Sequence, residues 1–369
     1  MNMERYRVTD PNNIITPALL VYPDLIEKNI KTMIAMAGGA RNLRPHIKTH
    51  KTAEIVQLQL EHGIQKFKCA TIAEAELLGN CGAADILLAV QPVGPNIDRF
   101  FSLISEFPNS IFSAIVDNAR IVEKIVEIAR DKDIKVPLWL DINNGMNRSG
   151  IEPNDYAVEL YKKIYEDPNL LAAGLHVYDG HIHNEDLLER EKKCNDDFEA
   201  VLDLKRSLEA VGFTIPAIVA GGSPTFPIHL KREGVETSPG TTLLWDAGYA
   251  ASYKDMDFLP AAVLLTRVIS KPKLNLVCFD LGHKHLASEM SFPRVMFLGS
   301  EGCTQIGQSE EHLIVQCPDD EMFTVGDTVY AIPVHICPTV AKYKEVLTVV
   351  NGSLTGAWQV AARNLKINI

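Results

Sequence analysis

The chain has 369 residues, a formal net charge of -11 at pH 7 and 46% hydrophobic residues. This length exceeds the size at which a single hydrophobic core usually divides, so we expect one large domain and a smaller one. The acidic balance argues against a nucleic-acid-binding surface, and no apolar run approaches the roughly 18–20 residues that span a membrane. The polar start, MNMERYRVTDPNN, lacks the apolar segment of a signal peptide. Seven scattered cysteines without a CxxC pair indicate reduced thiols in a cytoplasmic protein.

Short apolar runs alternate with amphipathic stretches from about residue 17 to residue 247. The amphipathic stretches, such as residues 118–132 and 196–212, carry apolar residues at the i, i+3, i+4 spacing of a helix. The predicted strands are ALLVY (18–22), LRPHIK (43–48), KFKCAT (66–71), DILLAV (85–90), FSAIV (112–116), VPLWLDI (136–142), LAAGLHVY (171–178), PAIVAGG (216–222) and TTLLW (241–245). About eight strand–helix repeats predict an α/β fold, a (β/α)8 TIM-type barrel. A doubly wound sheet is the alternative, but no Gly-x-Gly-x-x-Gly string follows an early strand.

The pattern changes after about residue 255, where short β-type runs are separated by Gly, Pro and Asp. These runs include AAVLLTRVISKP, LNLVCFDL, RVMFLG and TVYAIP, and clear helical periods are absent from this part of the sequence. We therefore predict a barrel domain over residues 16–254. A second, mostly β domain is predicted to comprise residues 1–15 and 255–369.

Reactive side chains should lie where barrel strands end, because the C-terminal face of such a barrel carries the active site. The first predicted barrel site is Lys48, in the cation-rich segment RNLRPHIKTHKTAE (41–54). A lysine at a strand end could form a Schiff base with an aldehyde, and neighbouring cations would lower its pKa. The alternative is a solvated surface loop.

Small residues and hydroxyls follow the last two predicted strands, in AGGSPTF and SPGTT. Barrels commonly bind phosphate at this place, because bare backbone N–H groups can approach an anion closely. Residues 221–223, Gly240 and Thr241 are therefore candidate phosphate contacts, although ordinary turn chemistry also accounts for Gly-Gly-Ser-Pro.

Two histidine pairings suggest metal or acid–base chemistry. PVHICPTV places His335 and Cys337 two residues apart in a predicted extended segment, so both side chains could bind one Zn²⁺. Two ligands would leave open positions for a substrate, but the motif taken alone favours a core histidine near a buried cysteine. In YDGHIH, His181 and His183 are candidate general bases or a metal pair.

Taken together, the motifs LRPHIKTHKT, GMNRSG, AGGSPTF, SPGTT and HICPT resemble those of the D-threonine aldolase/D-serine dehydratase family. These are fold-type III pyridoxal-phosphate enzymes with an alanine racemase-like architecture. The resemblance runs from about residue 15 to the C-terminus. It implies that Lys48 is the Schiff-base lysine and that Arg148 contacts the pyridoxal 3-oxygen. It also implies that Gly222, Ser223, Gly240 and Thr241 hold the phosphate and that His335 and Cys337 bind the metal. His46 and Tyr178 are further candidate cofactor contacts.

The resemblance implies a lyase that uses pyridoxal phosphate and a divalent metal, Zn²⁺ or Mn²⁺, on small D-3-hydroxy amino acids. Retro-aldol cleavage to glycine and an aldehyde is the expected reaction, with His181 or His183 as base. A dehydratase acting on D-serine or D-threo-3-hydroxyaspartate is the alternative, and a thiolate ligand favours it, whereas the YDGHIH segment is closer to the aldolases. Remoter alternatives are an amino-acid racemase, a metal-dependent barrel hydrolase without the cofactor, and a non-catalytic cofactor carrier. The resemblance also predicts a homodimer.

Overall fold

The computed structural model describes residues 3–300 and 302–369. The chain divides into two compact units, which we describe separately. The barrel unit comprises residues 33–48, 56–240 and 364–369, and the β unit comprises the segments up to residue 32, 49–55 and 241–363. None of the described helices is both long and apolar enough to cross a membrane.

Within the described residues, the strands are β1 (Ala18–Val21), β2 (Lys66–Cys69), β3 (Asp85–Leu88), β4 (Ile111–Val116), β5 (Val136–Ile142), β6 (Leu170–Val177), β7 (Ile218–Ala220), β8 (Val235–Thr237), β9 (Ala262–Lys273), β10 (Leu276–Phe279), β11 (Val295–Phe297), β12 (Thr304–Gln308), β13 (Leu313–Gln316), β14 (Thr328–Pro333), β15 (Glu345–Val350) and β16 (Ser353–Gln359). The helices in the same ranges are α1 (Pro23–Met36), α2 (Ala53–Glu61), α3 (Ile72–Asn80), α4 (Pro95–Glu106), α5 (Ala119–Asp131), α6 (Asp155–Glu166), α7 (Leu187–Ala210), α8 (Phe226–His229), α9 (Ala247–Ser252) and α10 (Ile336–Val340).

Strands β2 to β8 form a parallel sheet in which each strand pairs with the next one along the chain. The two edge strands both pair with the segment that precedes Lys48. Leu43 bridges Thr237 of β8, and His46 bridges Lys68 of β2, both in parallel orientation. This segment therefore takes the eighth position of the barrel, which confirms the predicted fold class.

Two of the predicted barrel strands are wrong in detail. Residues 43–48 form isolated bridges rather than a strand, because Pro45 has no N–H to donate, and a 3₁₀ turn begins at Ile47. Residues 241–245 begin with a 3₁₀ turn, Thr241–Leu243, and the last barrel strand is the three-residue β8, which the sequence analysis missed.

The β unit contains a nine-stranded sheet built around the long strand β9. Strand β1 pairs antiparallel with β9 and parallel with β15, so it belongs to the β unit and not to the barrel. The predicted domain boundary after residue 15 therefore differs from the observed division, as does the boundary after residue 254, because residues 241–254 also lie in the β unit. The mostly β character predicted after residue 255 is confirmed.

Helix formation follows the predicted periodicity and local capping. In α5 the buried residues are Val122, Ile125, Val126 and Ala129, which lie at i, i+3, i+4 and i+7 on one face. The Asn118 side chain accepts a hydrogen bond from the Arg120 N–H and caps this helix. Helix α7 begins earlier than residue 196, because Asp186 caps it and accepts from the Glu189 N–H.

Part of the cation-rich segment is structural. Arg44 is 1% exposed, and its guanidinium donates to both carboxylate oxygens of Asp85, at 2.7 and 2.8 Å, and to Glu236 at 2.7 Å. Its Cζ also lies 5.5 Å from the ring centroid of Trp139, which packs with Leu87 in the core. Two carboxylates compensate the buried charge, so Arg44 joins β3, β5 and β8 and is not available for chemistry.

Candidate active site

A cavity of about 510 Å³ lies in the barrel unit, where side chains following the C-terminal ends of several strands converge. Its polar lining includes Lys48, Lys68, Asp141, Arg148, His176 and Tyr178. The volume falls within the range of small-molecule sites in proteins. This position matches the expectation that reactive groups of a parallel barrel gather at one face.

Lys48 reaches this cavity from the 3₁₀ turn Ile47–Thr49. Its backbone N–H donates to Nδ1 of His46 at 3.2 Å, and the His46 N–H donates to the Pro239 carbonyl at 3.0 Å. The imidazole of His46 therefore fixes the backbone that presents the lysine, and His46 itself also lines the cavity.

The ring of Tyr178 faces three cations. Its centroid lies 5.4 Å from Nζ of Lys48, 5.6 Å from Nζ of Lys68 and 4.8 Å from Cζ of Arg148. Each distance is within the range at which an aromatic face attracts a cation. The backbone at Gly180 passes so close to this ring that a Cβ there would lie 2.3 Å from it, so glycine is required.

Arg148 is carried by a structured loop after β5. The side chain of Asn143 accepts from the Gly145 N–H at 3.1 Å and from the Asn147 N–H at 2.9 Å. Gly150 has φ +88°, and a Cβ there would lie 2.8 Å from the Asn143 nitrogen. The loop thus holds Arg148 by local hydrogen bonds and by one obligatory glycine.

Lys68, His176 and Asp141 form a buried chain of polar contacts. Nδ1 of His176 is 2.7 Å from Oδ1 of Asp141, and Nε2 of His176 is 3.5 Å from Nζ of Lys68. Burial, and then the charge of Lys68, lowers the pKa of His176. Burial and the nearby Lys48 also lower the pKa of Lys68 to about 7. An amine with such a pKa exchanges protons near neutrality.

The two glycine-containing turns predicted to hold phosphate meet in the barrel unit. The Gly240 N–H donates to Oγ of Ser223 at 3.1 Å. Gly221 has φ +75°, and a Cβ at Gly222 would lie 3.2 Å from the Tyr178 ring. These turns therefore lie beside the ring that faces Lys48. Thr241 belongs to the β unit, where its hydroxyl is 3.6 Å from the sulfur of Cys337.

The second predicted site, His335 and Cys337, lies wholly in the β unit. His335 occupies the N-cap position of helix α10, and Cys337 lies in the first turn of this helix, so the predicted extended segment is wrong at this point. A hydrogen bond to Cys337 raises the pKa of His335 to about 9, although burial opposes this. Burial disfavours the thiolate, but hydrogen bonds from His335 and Thr49 outweigh it and lower the pKa of Cys337. Nδ1 of His335 is 2.5 Å from Oε1 of Glu289.

Family models and known proteins that resemble this chain point to the same family. Residues 21–246, more than half of the chain, match the family model described as "Alanine racemase, N-terminal domain". The chain belongs to this family. Residues 261–349, in the β unit, match the model of a serine dehydratase domain. The alanine racemase-like fold and the resemblance drawn from the sequence motifs are thereby confirmed.

Similar members of the family are D-amino acid lyases. The chain is 28% identical over 368 residues to the 3-hydroxy-D-aspartate aldolase of Paracoccus denitrificans (strain Pd 1222), with 96% of this chain and 93% of that protein covered. It is 25% identical over 355 residues to the D-threonine aldolase of an Arthrobacter species, with 94% and 92% covered. The crystal structure of D-threonine aldolase from Filomicrobium marinum is similar with a TM-score of 0.88 and 25% identity, covering 95% of this chain and 96% of that one.

The predicted histidine pair is not among the residues that line the cavity. Nε2 of His181 lies 2.8 Å from Oδ2 of Asp197, and the same nitrogen packs against Gly145 in the loop that carries Arg148. His183 is exposed. The two side chains thus have different environments despite their i, i+2 spacing, because they lie in a loop and not in a strand.

A further buried cluster of potential metal ligands joins Asp179, Cys194 and His229. Nε2 of His229 is 2.7 Å from Oδ2 of Asp179, while Nδ1 of His229 faces Nη1 of Arg232 at 3.0 Å. A guanidinium can only donate, so Nδ1 is the acceptor and Nε2 carries the proton that binds Asp179. Asp179 in turn accepts from the Thr225 hydroxyl at 2.8 Å. We therefore describe this cluster as a hydrogen-bond network.

Three residues of this site, Lys68, Asp141 and His176, were not predicted from the sequence. Each lies in an apolar strand run, KFKCAT, VPLWLDI or LAAGLHVY, where a charged or imidazole side chain interrupts hydrophobic residues. A polar residue inside an apolar barrel strand could therefore have indicated a site residue, because burying it without a partner is costly. Their mutual pairing had no local signature, because β2, β5 and β6 are far apart along the chain.

Proposed function

We propose that this chain is a pyridoxal-phosphate-dependent lyase that cleaves the Cα–Cβ bond of D-3-hydroxy amino acids to give glycine and an aldehyde. The observation that carries the proposal is the cavity of this chain, in which the Lys48 amine and Arg148 face the same Tyr178 ring. The chain's membership of the family supports the same conclusion. The relatives named for D-threonine and 3-hydroxy-D-aspartate aldolases support the reaction class.

The residues present fit pyridoxal phosphate. The cavity offers an amine for the aldehyde in Lys48 and a guanidinium for the ring oxygen in Arg148. In addition, Oδ2 of the buried Asp141 has no hydrogen-bond partner among the described residues, as expected of a wall that faces a ligand. Gly222, Ser223 and Gly240, with Thr241 next in the chain, would hold the phosphate, and His46 and Tyr178 would contact the ring. When bound, the cofactor supplies an electron sink for the pair left on Cα.

The donor set of His335 and Cys337 fits a divalent metal. An imidazole nitrogen and a thiolate are ligands that Zn²⁺ binds readily, whereas Mn²⁺ prefers oxygen, so we favour Zn²⁺. The carboxylate of Glu289 holds Nδ1 of His335 and leaves Nε2 as the ligand atom. A bound metal would lower the pKa of the substrate β-hydroxyl.

Of the two predicted bases, His181 is the preferred candidate for the β-hydroxyl proton, because, although it lies outside the cavity lining, it lies beside the loop that carries Arg148. The Asp197 carboxylate orients its ring, as a carboxylate orients the histidine of many acid–base pairs. His183, exposed and two residues further on, is the second candidate. We expect His181→Asn to lose more activity than His183→Asn.

A dehydratase is the second candidate function, because residues 261–349 match a serine dehydratase domain and Cys337 offers a thiolate ligand. The two reactions are distinguished by their products. Purified protein with pyridoxal phosphate and Zn²⁺ or Mn²⁺ is incubated with D-threonine, D-threo-3-hydroxyaspartate and D-serine. Glycine plus an aldehyde supports the aldolase, and a keto acid plus ammonia supports the dehydratase. No turnover of any substrate with either metal would contradict the proposed function.

The seven scattered cysteines favour a cytoplasmic location, and the family resemblance favours a homodimer. We expect a cytoplasmic homodimer whose partners are small D-amino acid substrates. Size-exclusion chromatography with light scattering measures the oligomeric state, and a monomeric mass would contradict the dimer.

A further inference from the structure

Lys68 is a second amine in the cavity that contains Lys48. It lies on β2, is 2% exposed and lines the cavity. In the part of the chain that the structure describes, its ammonium forms no ion pair with a carboxylate, and its hydrogen-bonding neighbour is Nε2 of His176 at 3.5 Å. A buried lysine without a paired carboxylate is costly for stability, so its presence indicates a role in the site.

His176 and Asp141 orient this amine. The short contact between Oδ1 of Asp141 and Nδ1 of His176 keeps the proton of the neutral imidazole on Nδ1. Nε2 is then an acceptor, and Lys68 donates one N–H to it. The other positions on Nζ, including the lone pair of the neutral amine, are left for the cavity.

The charges around Lys68 favour the neutral amine at moderate pH. Burial has the largest effect and the charge of Lys48 the next, and with the other neighbouring charges they lower the pKa of Lys68 to about 7. The carboxylates of Asp179 and Asp141 raise the pKa of Lys68, whereas the charge of Arg44 lowers it. The ring of Tyr178 also faces Nζ. Lys68 can therefore gain and lose a proton near neutrality, which an arginine in its place could not do.

We propose that Lys68 is a second acid–base residue of this cavity, positioned by His176 and Asp141, which exchanges the proton at Cα of the amino acid. The proposal rests on the proposed function. After the Cα–Cβ bond breaks, an N–H bond of the Lys68 ammonium breaks and a Cα–H bond forms with the electron pair left on Cα. Lys68 becomes the neutral amine and takes up a proton from water.

The first test measures protonation without cofactor or substrate. Protein labelled with ¹³Cε-lysine is titrated by NMR, and the Lys68 resonance is assigned by its loss in Lys68→Met. We expect a midpoint near pH 7, well below that of the exposed lysines. A midpoint shared with those lysines would overturn the proposal, whatever reaction the enzyme catalyses.

The second test follows exchange of the glycine Cα proton for deuterium in D₂O by the cofactor-loaded enzyme, which breaks and re-forms a Cα–H bond but requires no Cα–Cβ cleavage. Lys68→Met should reduce exchange by about 10²-fold or more, the usual scale of acid–base catalysis. Lys68→Arg keeps a positive charge but cannot release a proton near neutrality, so it should be as slow. The control Lys66→Met, which removes the neighbouring lysine paired with Glu236, should exchange at the wild-type rate and bind the cofactor equally well.

Two outcomes separate the proposals. Unchanged exchange in Lys68→Met, or full recovery in Lys68→Arg, would overturn the role of Lys68 while wild-type exchange still supports the proposed function. An absence of exchange in the loaded wild-type enzyme would contradict the proposed function itself. In that case the NMR midpoint still reports on the amine.

Discussion

The two candidate sites differ in how their charges are compensated. In the barrel unit, Lys48, Lys68 and Arg148 face one aromatic ring, and burial lowers the pKa of Lys68 to about 7. In the β unit, a hydrogen bond to Cys337 instead raises the pKa of His335 to about 9. Burial alone therefore does not decide whether a group is charged, because a hydrogen-bonded partner can reverse its effect on the pKa. We propose that the barrel cations receive an anionic ligand, whereas His335 and Cys337 stabilise each other's charged forms and would exchange their shared proton for a metal.

The largest effect is expected from Lys48→Ala, which removes the amine that would bind the pyridoxal aldehyde. We expect activity to fall by at least about 10³-fold, the scale seen when a covalent group is removed. The cofactor absorbance of the bound form should also disappear. Arg41→Ala removes an exposed cation of the same segment and should retain both properties. Equal losses in the two variants would mean that the segment acts only through its charge.

Cys337→Ala tests the β-unit site. Removing a metal ligand should cost at least about 10²-fold in activity, because even groups that only support ligands cost 10- to 100-fold. Metal content measured by elemental analysis should fall with it, while the cofactor spectrum is retained. The matched control is Cys81→Ala, a partly exposed cysteine at the end of α3. Wild-type metal content in Cys337→Ala would show that the metal binds elsewhere.

Asp179→Asn should destabilise the barrel unit. The carboxylate is 2% exposed and binds both His229 and Thr225, so its neutralisation is expected to cost about 3 kcal/mol in the free energy of unfolding. Urea denaturation measures this difference. Asp203→Asn, on the exposed surface of α7, should change the free energy by less than about 0.5 kcal/mol.

The same variant has a defined pH dependence. Burial would raise the pKa of Asp179, but the hydrogen bonds from His229 and Thr225 outweigh it, so the folded-state pKa lies below the ordinary value of 3.8. Stability from this carboxylate is therefore present above about pH 4 and is lost as the pH falls through the folded-state pKa. The difference between wild type and Asp179→Asn should shrink below about pH 4. A difference that stays constant there would contradict the assignment.

The smallest effect is expected from Gly222→Ala. Its Cβ would lie 3.2 Å from the Tyr178 ring, so the ring must move by a few tenths of an ångström. We expect about a fivefold loss of cofactor affinity, equivalent to roughly 1 kcal/mol, by fluorescence titration. Gly307→Ala in β12 meets Ile314 at an ordinary 3.8 Å and should leave affinity unchanged. Unaltered affinity in Gly222→Ala would place the cofactor away from this turn.

Sequence periodicity predicted the barrel because each strand–helix repeat has its own hydrophobic pattern. It did not assign β1 to the correct sheet, since an apolar strand has the same pattern in either unit. The irregular eighth position of the barrel was predicted as a regular strand, because LRPHIK resembles a strand although it forms only isolated bridges. The motifs identified Lys48 and Arg148, whereas the Asp141–His176 pair depends on strand register and has no motif. Local motifs therefore identify individual site residues, whereas contacts between side chains on different strands require the structure.

Which of the two amines, Lys48 or Lys68, binds the pyridoxal aldehyde is the decisive question, since both face Tyr178. Borohydride reduction of the cofactor-loaded enzyme fixes the pyridoxal group to the lysine that binds it, and peptide mass spectrometry locates the added mass. We expect modification of the peptide that contains Lys48, with Lys68 unmodified. Modification at Lys68, or of neither lysine, would contradict it.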